Sequence, residues 1–322
     1  MLEKIIAGDA FNAKNILNRI LDIFIGEIKT SMKIIFVIIG VSLLCSILTN
    51  IQSSFGGRVS EIAFYVCYLF IVILIINTYT DIISICRETI INLNEFMNLL
   101  IPLILSLLVV NGNIVSVGMM KPVLLIMVSI INTLVSNFIL PIIFISTMIN
   151  LVSNISEHIE VSKIPKLLQK ASVWCLEFIL IIFIGILSLE GTLAANVDGL
   201  TAKTTKTVVS TVIPVIGKAL SDATDSILGA TSIIKNAVGI VGVIVIIGIS
   251  LIPIIKVLVM MIVFNISSAL IEPIVDKRIS KCMSGIGESI KIVFALMTTI
   301  CTLFIIATTI MIKVGNFSIM YR

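Results

Sequence analysis

Between Lys121 and Glu157 the chain runs through 35 consecutive residues without a Lys, Arg, Asp or Glu, most of them Ile, Leu, Val, Met or Phe. A soluble core does not call for so long an unbroken apolar run. A bilayer does, since one span needs about 20 apolar residues. Pro141 lies near the centre of the run and leaves two readings, one long kinked helix or two short limbs turning back.

The signature recurs. Uncharged windows lie at residues 34–57, 62–80, 96–120, 236–255 and 292–312, with weaker ones at 171–189, interrupted by Glu177, and between Lys256 and Glu272. Apolar residues make up 58% of the chain and charged ones 12%, against roughly 45–50% and 25% in soluble domains. These features predict an all-α polytopic integral membrane protein with six to eight transmembrane or re-entrant helices. Helices are forced because hydrocarbon offers backbone N–H and C=O groups no outside partner, and the windows lack the alternation of a membrane β-barrel.

Four regions follow: an N-terminal amphipathic segment (1–31), a first membrane helix group (32–189), a mixed polar and apolar segment (190–235) and a C-terminal membrane helix group (236–322). The net charge of +4 is spread over both ends and several loops, which does not describe a nucleic-acid groove. It reads better as topology. Lys163, Lys166 and Lys170 cluster in one loop, and Lys277, Arg278, Lys281 and Lys291 in another, and short basic loops tend to stay cytoplasmic. If both do, residues 190–235 face the opposite side.

Residues 12–30 carry Ile16, Leu17, Ile20, Leu21, Phe24 and Ile28 on one helical stripe, with Arg19, Asp22 and Glu27 opposite. Such a helix suits a membrane surface, packing on a neighbouring subunit, or packing on its own bundle. Similar stripes at Ile83, Cys86, Ile90 and Leu93, and at Val275, Ile279, Met283, Ile286 and Ile290, are read as interfacial helices. Residues 1–31 hold no long apolar stretch of the kind a cleavable signal peptide requires, so insertion is expected to rely on the first span. The six cysteines stand singly, without CxxC or zinc-type spacing, and read as reduced thiols.

The segment after Glu190 departs most from membrane composition. Asp198-Gly199 reads as a turn, Lys206 lies in a Thr-rich stretch, Pro214 breaks an apolar stripe, and Gly217, Asp222 and Asp225 follow. One apolar face and one polar face suit a re-entrant or pore-facing helix pair, and equally helices lying flat outside the membrane.

Catalytic patterns are nearly absent from the sequence. His158 is the one histidine, which excludes a multi-histidine metal site. Gly217-Lys218 lacks the upstream Gly and the following Ser or Thr of a phosphate-binding loop. No metal or cofactor is expected. The remaining candidates are ionisable groups in apolar segments, Glu177, Glu190 and Lys256, each costly in lipid and therefore a candidate for function. Glu177 and Glu190 stand roughly 20 Å apart along a helix and cannot act together from it. Lys256 follows Pro253 and marks either a broken helix or a snorkelling loop. Gly239, Gly242, Gly248 and Gly185 permit close approach of helices, within the chain or in a homo-oligomer.

The order of segments resembles the stage III sporulation protein AE family of endospore-forming bacteria. The resemblance is carried by Ile101-Pro102-Leu103, Leu140-Pro141-Ile142, the stretch from Phe183 to Ser188 before Glu190-Gly191, Asp198-Gly199, Thr204 to Lys206, Ile213 to Lys218, Ser221-Asp222-Ala223 with Asp225, Asn236 to Gly239, and Glu272-Pro273-Ile274. It covers residues from about 12 to the C-terminus. Family members usually begin with a signal peptide and a further extracytoplasmic stretch, so this sequence is expected to be truncated or differently begun.

The resemblance implies a cell-membrane protein of the mother cell, in the membrane surrounding the forespore. Its implied partners are other stage III sporulation membrane proteins, including a secretion-type ATPase and ring-forming components. The implied role is that of a channel platform or gate without catalysis, in a secretion-like apparatus joining the two cells. The alternatives are an autonomous secondary transporter using Glu177, Lys256 or Glu272, and an intramembrane enzyme, for which nucleophile motifs are missing.

Overall fold

The computed structural model describes residues 13–52, 57–154, 163–212 and 216–320. Every element there is helical: α1 (Ala13–Gln52), α2 (Gly57–Val110), α3 (Ile114–Leu134), a π-helical turn (Val135–Ile139), α4 (Leu140–Ser153), α5 (Lys163–Val212), α6 (Ile216–Ile271) and α7 (Lys277–Met320). Among the described residues six helical runs are long and apolar enough to cross a membrane. They are Asn18–Ile47, Phe64–Val110, Ile114–Ser153, Lys163–Leu189, Ser226–Ile271 and Lys277–Val314. The fold is therefore that of a polytopic helical membrane protein.

The helices are longer than the windows suggest. α2 has 54 residues, roughly 80 Å at 1.5 Å per residue, against about 30 Å of hydrocarbon. It joins the windows at 62–80 and 96–110 through a stretch containing Asp81, Arg87, Glu88 and Glu95. The stripe read there as a separate interfacial helix is thus the middle of α2, with Cys86, Ile90 and Leu93 buried. The stripe from Val275 to Ile290 is likewise largely the first part of α7, and all five of its residues are buried. Helices also pass unbroken through 31/32, 189/190 and 235/236.

Three local readings are settled by backbone chemistry. The window at 96–120 is not one span, because Asn111-Gly112-Asn113 closes α2 and opens α3. The Asn113 N–H bonds the Leu108 carbonyl at 3.0 Å and the Gly112 N–H that of Val109 at 2.9 Å, the paired pattern of a Schellman cap with Gly in the left-handed region at φ 78°. At Pro141 the chain does not turn back. The π-helical turn immediately before it supplies a wider loop where proline has no N–H to give and would crowd the preceding carbonyl, so α3 and α4 form one run. Pro253 and Lys256 lie within an unbroken α6, which replaces the broken-helix reading.

Asp198-Gly199 lies inside α5, so the expected turn is corrected. A glycine costs a helix interior only about 1 kcal/mol, less than the hydrogen bonds lost by interrupting it. The described part of α5 ends at Val212 and that of α6 begins at Ile216, so the break the sequence placed between them lies outside the described residues. Pro214 itself is outside the described residues.

The helices form two compact units. The first takes residues up to Arg87, Ile139–Val173 and Leu251–Leu296, and the second takes Glu88–Phe138, Trp174–Ser250 and residues from Met297 onward. In the first, polar side chains tie apolar helices together. The Tyr68 hydroxyl donates to the Leu151 carbonyl at 2.9 Å and stands beside the Cys282 thiol. The Thr147 and Tyr79 hydroxyls bond at 3.0 Å, and Tyr79 stacks on Phe144 with centroids 6.1 Å apart. Asp276 caps α7 by accepting the Arg278 N–H at 2.8 Å, and the Arg278 guanidinium lies 3.9 Å over the Phe64 ring. Helical serines and threonines such as Ser42, which donates to Ile38 at 2.7 Å, satisfy themselves on the preceding turn and so sit in apolar surroundings without penalty.

Candidate functional site

In the second unit, α6 and α7 pack side by side in opposite directions. Ser250 Oγ meets Cys301 Sγ at 3.0 Å at one point of the seam. At another, Gly239 lies against Ile312, and the same spacing separates Gly239 from Ser250 as Cys301 from Ile312. The two glycines make this closeness possible. A Cβ on Gly239 would overlap the Ile312 side chain, and one on Gly242 would come within 2.8 Å of Leu100 Cδ2 on α2.

One turn before Gly239, α6 carries Lys235. Its side chain is buried with 0% exposure, and Nζ donates to the Ile312 carbonyl at 2.9 Å. Burying an ammonium in an apolar bundle is costly, and a carbonyl partner offsets only part of that. A lysine inside a membrane helix that faces protein rather than lipid is therefore a candidate for function by its energetics alone.

The same helices carry further polar groups. Thr308 Oγ1 donates to Phe304 at 2.9 Å and lies 3.9 Å from Met97 Sδ of α2. The buried Oδ1 atoms of Asn94 and Asn236 have no hydrogen-bond partner among the described residues. This seam offers a fixed cation and amide dipoles. Among the described residues no three His, Cys, Asp or Glu side chains gather as a metal site would require.

The profile of the family described as Stage III sporulation protein AE matches residues 1–315. The chain belongs to the stage III sporulation protein AE family. A relative from Bacillus subtilis (strain 168), Stage III sporulation protein AE, is 31% identical over 323 residues, covering 100% of this chain and 81% of the relative. No solved structure matches.

Of the residues singled out in the sequence, Gly239 and Gly242 fall in the seam among the described residues. Glu177 is exposed on α5, Lys256 is half-buried on α6, and Glu272 and Pro273 are exposed in the turn between α6 and α7. Glu190, Asp198, Gly199 and Lys206 lie along α5, and Gly217, Asp222 and Asp225 in the first turns of α6. Their side chains, and Pro214 altogether, are outside the described residues. Lys235 was missed because it served as the boundary of the 190–235 segment. Its signal was available: a lysine four residues before a glycine, at the edge of a long apolar run.

Proposed function

We propose that this chain is the multi-pass platform or gate of a channel complex between mother cell and forespore, acting in endospore development without catalysis. The family match along residues 1–315 carries the reading. Six helices apolar enough to span support a place in the membrane surrounding the forespore. The inward-facing Lys235 supports a protein whose charged interior is held for a passage or a moving helix seam. The proposed partners are other stage III sporulation membrane proteins, among them a secretion-type ATPase and ring-forming components, and further copies of the chain. Nucleic acid is not among them.

The test is made in sporulating cells whose own copy is replaced by a tagged one. The tagged chain is expected to sediment with membranes, to co-purify with the ATPase and the ring-forming proteins, and to restore heat-resistant spores. Normal spore yield in the deletion strain would overturn the reading. So would solute uptake by liposomes holding this chain alone, which would favour an autonomous transporter using Lys256.

A further inference from the structure

A groove of about 270 Å³ runs between α1 and α6 in the first unit, lined by Phe24, Ile28 and Phe36 on one side and Val259, Val263 and Leu270 on the other. Ser267 is the polar residue along it, and its hydroxyl is already donated to the Val263 carbonyl at 2.6 Å. The groove therefore offers no hydrogen bond. The two helices run the same way here, because Ser46 near the end of α1 donates to the Ile274 carbonyl just past the end of α6, at 2.7 Å.

The shape narrows the choice of occupant. From Phe24 to Ile39 the lining covers roughly 22 Å of α1 at 1.5 Å per residue. Spread over that length, the volume describes a shallow groove open along one side, not one that encloses a helix of about 10 Å diameter. It fits a single hydrocarbon chain, and its length exceeds one leaflet of a hydrocarbon core of about 30 Å.

Charge narrows it further. Lys256 precedes Val259 by one turn on the groove face of α6, and Lys29 follows Ile28 on α1, so both stand toward the N-terminal end of the groove. Lys256 is half-buried, Lys29 is exposed, and neither has a hydrogen bond or ion pair among the described residues. Glu27 lies on the opposite edge of α1, and Asp22 lies two turns before Lys29. Helical side chains lean toward the N-terminus, which carries the Lys256 ammonium toward that end of the groove.

We infer that this groove holds one acyl chain of an anionic phospholipid, with the phosphate at the end marked by Lys29 and Lys256. The inference rests on the membrane placement proposed above. A half-buried ammonium next to hydrocarbon gains a counter-ion, and the apolar groove gains a chain that packs against it like a side chain.

The test uses the full chain in detergent, titrated separately with phosphatidylglycerol and phosphatidylcholine and read by native mass spectrometry. One phosphatidylglycerol is expected to be retained in preference to phosphatidylcholine. The double variant Lys29→Gln with Lys256→Gln is expected to weaken phosphatidylglycerol retention about thirtyfold, as two interfacial lysines imply, and to leave phosphatidylcholine unchanged. Val263→Trp fills the groove and is expected to abolish retention with both lysines present, and Phe36→Trp at the exposed rim gives a milder loss. Equal retention of the two lipids, or full retention by both filling variants, overturns the inference. A dimer that Val263→Trp converts to monomer also overturns it, by assigning the groove to a second copy. Release of the chain from membranes by alkaline carbonate would instead refute the membrane placement, a readout independent of lipid retention.

Discussion

The Lys235 ammonium of α6 donates to the Ile312 carbonyl of α7 at 2.9 Å, so a full charge on one apolar helix is held by the backbone of another. Replacing a buried charge by an apolar side chain of similar length is close to neutral for stability, whereas reversing it leaves a carboxylate facing an oxygen. Lys235→Met is therefore expected to accumulate in membranes at wild-type level, with spore yield reporting whether the charge itself is used. Lys235→Glu is expected to lose roughly 3–5 kcal/mol and to disappear from immunoblots of membrane fractions.

Gly239 touches Ile312 with no space for a Cβ. Gly239→Val is expected to cost about 1–3 kcal/mol through overpacking. Ile312→Ala in the same chain makes room. The double variant is expected to be more stable in a detergent melt than the sum of the two single losses, and strict additivity would show that the two residues are not in contact.

Tyr68 ties α2 to α4 through its bond to Leu151 and stands beside Cys282 of α7. Tyr68→Phe keeps the ring and removes the hydroxyl, and a net loss of about 1 kcal/mol is expected. For a chain of 322 residues that is a fall of about 1–2 °C in Tm, read by thermal shift in detergent. An unchanged Tm would mean that the hydroxyl is as well served outside this arrangement.

The thiols of Cys45 on α1 and Cys67 on α2 are neighbours, and all six cysteines are free. Oxidation of membranes with copper phenanthroline is expected to join these two, detected as a linked peptide by mass spectrometry. Exposed Cys175 serves as the internal comparison and is expected to be alkylated instead. A Cys45 peptide that remains unlinked under these conditions would show that α1 does not pack on α2 at this point.

Hydropathy made the class of protein legible, and the reason is the solvent: lipid demands apolar length, and the run from Pro122 to Ser156 states it without help from periodicity. It did not reveal where helices end. Charges at Asp81, Arg87, Glu88 and Glu95 looked like a loop between spans, yet α2 passes through them, because a helix needs only a buried stripe at Cys86, Ile90 and Leu93 to persist through polar sequence. Conversely the window at 96–120 hid a turn, although Asn111-Gly112-Asn113 spells one. An uncharged turn does not interrupt an apolar window, so hydropathy is blind to it.

The seam was half legible. Gly239 and Gly242 announced close packing, and both make it, while Gly248 and Gly185 meet nothing within 4 Å. Sequence spacing cannot say which small residue finds a partner, since that depends on helices far apart in the chain. Lys235 was hidden for a different reason. A lysine at the edge of an apolar window reads as the place where water begins, and only its burial against α7 shows otherwise.

The cap at Gly112 bears on how the protein is made. With three residues joining α2 to α3 there is no slack for one helix to enter the bilayer and wait for the next. The two helices are therefore expected to enter the membrane as one unit. At position 112 any bulkier residue would strain the bend, and the damage would be felt first in biogenesis, before a finished protein existed to be destabilised.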